Sequence, residues 1–118
     1  TPALNFRDVN LIGYKNDTSG VYITRENELT QGVESTRVYA QMHVPSGTGV
    51  QWLATNNGGF TWEPMSLDST RPIDQDWTEY TYQRTFADST GRKIRYKALL
   101  SGNALIFPRI HSLGATLS

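Results

Sequence analysis

The chain has 118 residues, with 11 basic and 11 acidic side chains, a formal net charge of zero, 37% hydrophobic residues and no cysteine. That length fits one domain with a real core. The charge balance speaks against a duplex nucleic-acid binder and against docking on an anionic membrane, and the missing thiols exclude a disulfide scaffold, a thiolate zinc site and a cysteine nucleophile.

Helical periodicity is absent, and no apolar run approaches the ~18 residues of a spanning helix. Turn clusters instead recur at roughly 10-residue spacing between period-2 segments, the mark of a sandwich or barrel. Strands are expected at 5–13, 20–26, 36–45, 50–56, 60–65, 79–86, 92–101 and 104–117. The third alternates well: Val38, Ala40, Met42 and Val44 face one way, Arg37, Tyr39, Gln41 and His43 the other. Asn56-Asn57-Gly58-Gly59 marks a hairpin, because Asn and Gly tolerate the positive φ of tight turns. Residues 66–78 read as a loop, with Pro72 and three acids. The strand after it sets Tyr80, Tyr82, Arg84 and Phe86 against Glu79, Thr81, Gln83 and Thr85. In the next strand Ile94, Tyr96, Ala98 and Leu100 oppose Lys93, Arg95 and Lys97. The expectation is an all-β, antiparallel β-sandwich, jelly-roll-like, with about eight strands. Residues 1–118 form one domain, and an opening Thr1 suggests a fragment of a longer protein.

Chemistry is sparse. His43 and His111 each read as solvated strand residues, and neither has an obvious nucleophile beside it. Glu63, Asp68, Asp74, Asp76 and Glu79 are the carboxylates that a glycosidase pair would draw on, but acids in loops serve first in solvation and turns. Asn16-Asp17-Thr18-Ser19 and Asp74-Gln75-Asp76 supply oxygens for a cation, without an EF-hand pattern. No catalytic residue, metal site or cofactor is assigned. Trp52 and Trp62 flank the hairpin and read as packing residues. Trp77 stands in a polar loop with Asp74, Asp76 and Glu79. It is the natural platform for a sugar, whose apolar face an aromatic ring covers while polar neighbours hold the hydroxyls. The stripe Lys93, Arg95, Lys97 could meet phosphate or an acidic sugar, though a wet face paired with neighbouring acids is the simpler reading.

Two resemblances add to this. Thr55-Asn56-Asn57-Gly58-Gly59-Phe60-Thr61-Trp62 resembles the Asp-box hairpin of sialidases, with Asn57 in place of the usual Asp. That box is structural, and its single occurrence here does not make a sialidase. Arg37-Val38-Tyr39-Ala40, Val44-Pro45-Ser46-Gly47-Thr48-Gly49-Val50, Trp62-Glu63-Pro64-Met65, Ile94 to Gly102 and Pro108-Arg109-Ile110 together resemble a β-sandwich module of bacteriophage tail, baseplate and fibre proteins. The resemblance covers residues 36–118. It implies a non-enzymatic structural and attachment module of a virion. Its partners would be other tail proteins or the rest of the parent chain, and also host-surface glycan. The parent would supply a homo-oligomer. The alternative is an extracellular carbohydrate-binding module of a bacterial secreted enzyme.

Overall fold

A computed structural model describes residues 3–6, 14–15, 19–102 and 106–118. Among these lie eleven strands: β1 (Ala3–Phe6), β2 (Tyr14–Lys15), β3 (Ser19–Ile23), β4 (Asn27–Glu28), β5 (Ser35–His43), β6 (Gly49–Thr55), β7 (Glu63–Pro64), β8 (Ser66–Pro72), β9 (Thr78–Thr85), β10 (Lys93–Ser101) and β11 (Arg109–Leu117). They form two antiparallel sheets, one ordered β1-β11-β5-β9-β8 and one β2-β3-β10-β6-β7, with β4 also pairing β10. From β5 onward the chain crosses between the sheets at β5–β6, β7–β8, β9–β10 and β10–β11. The fold is an all-β sandwich of the expected kind, jelly-roll-like.

The period-2 pattern explains the packing. Val38, Ala40 and Met42 of β5, Trp52 and Ala54 of β6, Ile94, Tyr96, Ala98 and Leu100 of β10, and Leu113, Ala115 and Leu117 of β11 are all buried between the sheets. Alanines beside Trp52 and Tyr96 leave room for the large rings, so the layers interdigitate. Each large apolar side chain so removed from water contributes about 1.5–3 kcal/mol. Buried polar atoms are paired: the Tyr96 hydroxyl lies 2.6 Å from Thr36 Oγ1, which donates to the Thr116 carbonyl at 3.0 Å.

The strand expectations need correction in places. Residues 66–72, expected as loop, form β8 at the edge of the five-stranded sheet. Every β8 side chain is exposed, so no apolar alternation betrays the strand. Its backbone pairs with β9, and its side chains add ion pairs from Asp68 to Arg37 and from Arg71 to Glu79. The expected strand 60–65 contracts to β7, because residues 56–62 form the connection. That connection is a longer hairpin loop rather than a tight turn. Of the expected strand 5–13, residues 7–13 lie outside the described residues. The last strand starts at Arg109, and 103–105 also lie outside the description.

The hairpin loop has the internal bonding its Asp-box-like pattern implies. Asn57 Oδ1 accepts from the Thr61 amide at 3.0 Å and from the Thr55 hydroxyl at 2.6 Å. Asn57 Nδ2 donates to Thr61 Oγ1 at 2.7 Å, and the Gly59 amide donates to Thr55 Oγ1 at 3.1 Å. Gly58 and Gly59 take φ of 75° and 100°, where a side chain would be strained.

Candidate functional site

Trp77 is placed by a small, well-bonded turn. Pro72 ends β8, and the Ile73 and Asp74 amides donate to the Trp77 carbonyl at 2.9 and 3.2 Å. Asp74 Oδ1 accepts the amides of Asp76 at 2.8 Å and Trp77 at 3.0 Å. A short carboxylate capturing amides two and three residues on is a common turn device. It makes Asp74 a builder of the turn rather than a free ligand group.

The register decides what Trp77 meets. Thr78 pairs with Met42, so Trp77 continues β9 alongside His43, and Arg109 pairs with His43 from the other side. A β-bulge between Ile110 and Ser112 gives His111 no partner of its own. The bulge turns His111 toward Trp77 while returning Leu113, Ala115 and Leu117 to the core. The half-buried Trp77 ring therefore lies 5.0 Å from the His111 ring, at 40°, and 6.4 Å from the His43 ring, edge-on. The Arg109 guanidinium carbon stands 5.2 Å from its centroid, in cation–π range. The result is one aromatic ring on the outer face of the five-stranded sheet, ringed by hydrogen-bond donors.

The site differs from its sequence expectation in composition. Glu79 forms an ion pair with Arg71 at 3.3 Å. Asp76 is exposed, and its amide is committed to Asp74. The two histidines, expected as isolated solvated residues, converge on Trp77 with Arg109. No local signal links positions 43, 77, 109 and 111; only strand pairing brings them together.

The other candidate carboxylates are engaged. Glu63 Oε1 accepts from Arg84 Nη2 at 2.7 Å and Nε at 3.0 Å, and from the Ala87 amide at 3.2 Å. Asp68 accepts from Arg37 at 2.9 Å. That hydrogen bond, with the charge behind it, raises the Arg37 pKa above its ordinary value. Both carboxylates are thus committed to guanidinium partners. Among the described residues no cluster of three or more His, Asp or Glu side chains could hold a metal ion. Of the two oxygen-rich segments, 16–18 lie outside the described residues, and Asp74 is committed to its turn.

Trp52 is buried in the core, with its indole N–H 3.4 Å from Met42 Sδ. Trp62 is only half-buried. Its ring rests against Gly59, and the Lys97 ammonium lies 4.4 Å from its centroid. The expected acid partners of Lys93, Arg95 and Lys97 are absent from the ion pairs among the described residues.

No protein-family model matches the chain, and no curated protein matches it in sequence. Its fold is similar to that of TmCBM61, a carbohydrate-binding module solved in complex with beta-1,4-galactotriose. The TM-score is 0.58 at 16% identity, over 86% of this chain. The chain spans 66% of the length of that neighbour. At this identity the likeness is one of fold, and it identifies the two-sheet architecture as one that a carbohydrate-binding module also uses.

Proposed function

We propose that this chain is a non-catalytic glycan-binding module and that Trp77 is its platform. The observation that carries the reading is the Trp77 ring on a sheet face beside Arg109, His43 and His111. The apolar face of a pyranose stacks on the indole, and the guanidinium and imidazoles donate to its hydroxyls. The neighbour's galactotriose complex supports this reading and makes a neutral β-1,4-linked galacto-oligosaccharide the first ligand to try. It also favours the extracellular carbohydrate-binding module over the virion module, which rests on the resemblance of residues 36–118 alone. In either setting a single weak site gains strength when the parent protein repeats it.

The test is calorimetry and a glycan array with wild type and Trp77→Ala. Losing an aromatic anchor of this kind costs about 1.4 kcal/mol or more, so Trp77→Ala should weaken binding at least about tenfold, with an unchanged far-UV spectrum. A wild type that binds no glycan, even displayed as an oligomer, would overturn the reading. So would a Trp77→Ala protein that binds as well as wild type. Hydrolysis that disappears in Asp76→Asn would overturn the non-catalytic part.

A further inference from the structure

We infer that the outer face of the six-stranded sheet carries a second, separate site, for the carboxylate of an acidic sugar such as a uronate. It is built on Lys97, which lies over Trp62, and on Arg95, with Phe60 exposed on the same hairpin as Trp62. It does not depend on Trp77, which lies on the other sheet.

Strand pairing defines this face. Lys97 sits between Ile23 of β3 and Leu53 of β6, and Leu53 pairs with Pro64 of β7. Leu99, one step along β10, sits between Val21 and Gln51. Neither row holds an acid. The contrast with the rest of the molecule is chemical. Arg37, Arg71 and Arg84 each have a carboxylate within ion-pair distance, but among the described residues Arg95 and Lys97 have none. Lys93, the third member of the stripe, is set apart because it pairs opposite Glu28.

Both cations are held in place. The Lys97 ammonium rests 4.4 Å over the Trp62 ring, and that ring is backed by Gly59 in the hairpin braced by Asn57. Arg95 Nε donates to the Thr24 carbonyl at 3.2 Å, which leaves its terminal nitrogens for a ligand. As i and i+2 residues of β10 they lie on one strand face, with Cα atoms about 7 Å apart. A cation already localised loses less side-chain entropy when it meets an anion. Two residues before Trp62, Phe60 is 89% exposed on the same hairpin. A free ring and two uncompensated cations match a ligand with an apolar ring face and a carboxylate, which is the chemistry of a uronate.

The experiment titrates the full chain with oligogalacturonate, with neutral β-1,4-galacto-oligosaccharide and with polyglutamate. Oligogalacturonate should bind, and binding should weaken as salt is raised, since exposed ion pairs are screened. Lys97→Gln and Arg95→Gln should each weaken it by about fivefold, the scale of one exposed charge pair. Lys97→Arg should retain it, Phe60→Ala should weaken it, and Trp77→Ala should leave it unchanged. Absence of oligogalacturonate binding would overturn the site. Equal binding of polyglutamate would show a charge-only surface and overturn the sugar assignment. Loss of oligogalacturonate binding in Trp77→Ala would show a single site and overturn the second one.

Discussion

Asn57 occupies the position where the Asp-box pattern has aspartate, and it satisfies the same backbone. Its Oδ1 accepts the Thr61 amide and the Thr55 hydroxyl, and its Nδ2 adds a bond to Thr61 Oγ1. Because a net intramolecular hydrogen bond is worth about 0.5–1.5 kcal/mol, Asn57→Ala should destabilise the fold by about 1–3 kcal/mol in urea unfolding. Asn57→Asp should stay within about 1 kcal/mol of wild type, since the Thr61 hydroxyl can turn to donate to the carboxylate. Gly91 is a second residue fixed by space. A Cβ there would stand 2.1 Å from the Asn56 carbonyl oxygen, which accepts the Lys93 amide. Asn56 in turn donates to the carbonyls of Val33 at 3.0 Å and Asp88 at 2.6 Å, tying three loops together at one end of the sandwich.

At the scale of elements, β7 and β8 bridge the two sheets with little apolar burial, so polar contacts matter more there. Glu63 of β7 reaches Arg84 of β9 in the opposite sheet, with 17% of its side chain exposed. Removing its charge leaves a half-buried guanidinium poorly matched. Glu63→Gln should therefore lower stability by about 1–3 kcal/mol, read as a shift in the urea midpoint at constant m-value. Edge strand β8 shows a complementary device. Asp68, Arg71, Pro72 and a bulge between Leu67 and Ser69 blunt an otherwise open row of backbone groups. The strand hides from an apolar-alternation reading for the same reason that it resists pairing with other chains: its side chains are mostly polar and all are exposed.

For the whole molecule, the buried tyrosines set an alkaline limit. Burial pushes the Tyr82 phenol from an ordinary 10.0 up to about 12, with Tyr80 adding to the shift. Burial raises Tyr96 as well, against the opposing hydrogen bond with Thr36. A folded-state pKa above the unfolded one means that the folded chain keeps protons the unfolded chain has released. Their stabilisation is complete below pH 10, and that of Tyr82 is lost as pH rises toward about 12. Thermal melts across that window should show Tm falling, and Tyr82→Phe should flatten part of the fall.

The fold class and most of the core were legible in the residues themselves. Period-2 alternation in β5 and β10 reports which side chains leave water, and Val38, Ala40, Met42, Ile94, Tyr96, Ala98 and Leu100 are buried as that pattern requires. The Asp-box-like hairpin was legible too, because its hydrogen bonds join residues within a few positions of one another. Trp77 was legible as an aromatic in a polar loop, but its neighbours were not. Local sequence pointed to Asp74, Asp76 and Glu79, whereas the structure commits Asp74 to the turn and Glu79 to Arg71. Alternation and turn chemistry are properties of short stretches of chain, so they could be read residue by residue. The gathering of His43, Arg109 and His111 around Trp77, the seat of Lys97 over Trp62 and the edge strand at residues 66–72 emerge only in the folded chain. Those outcomes depend on which strands pair and in which register, and pairing is settled by burying the whole core at once rather than by any short stretch of chain.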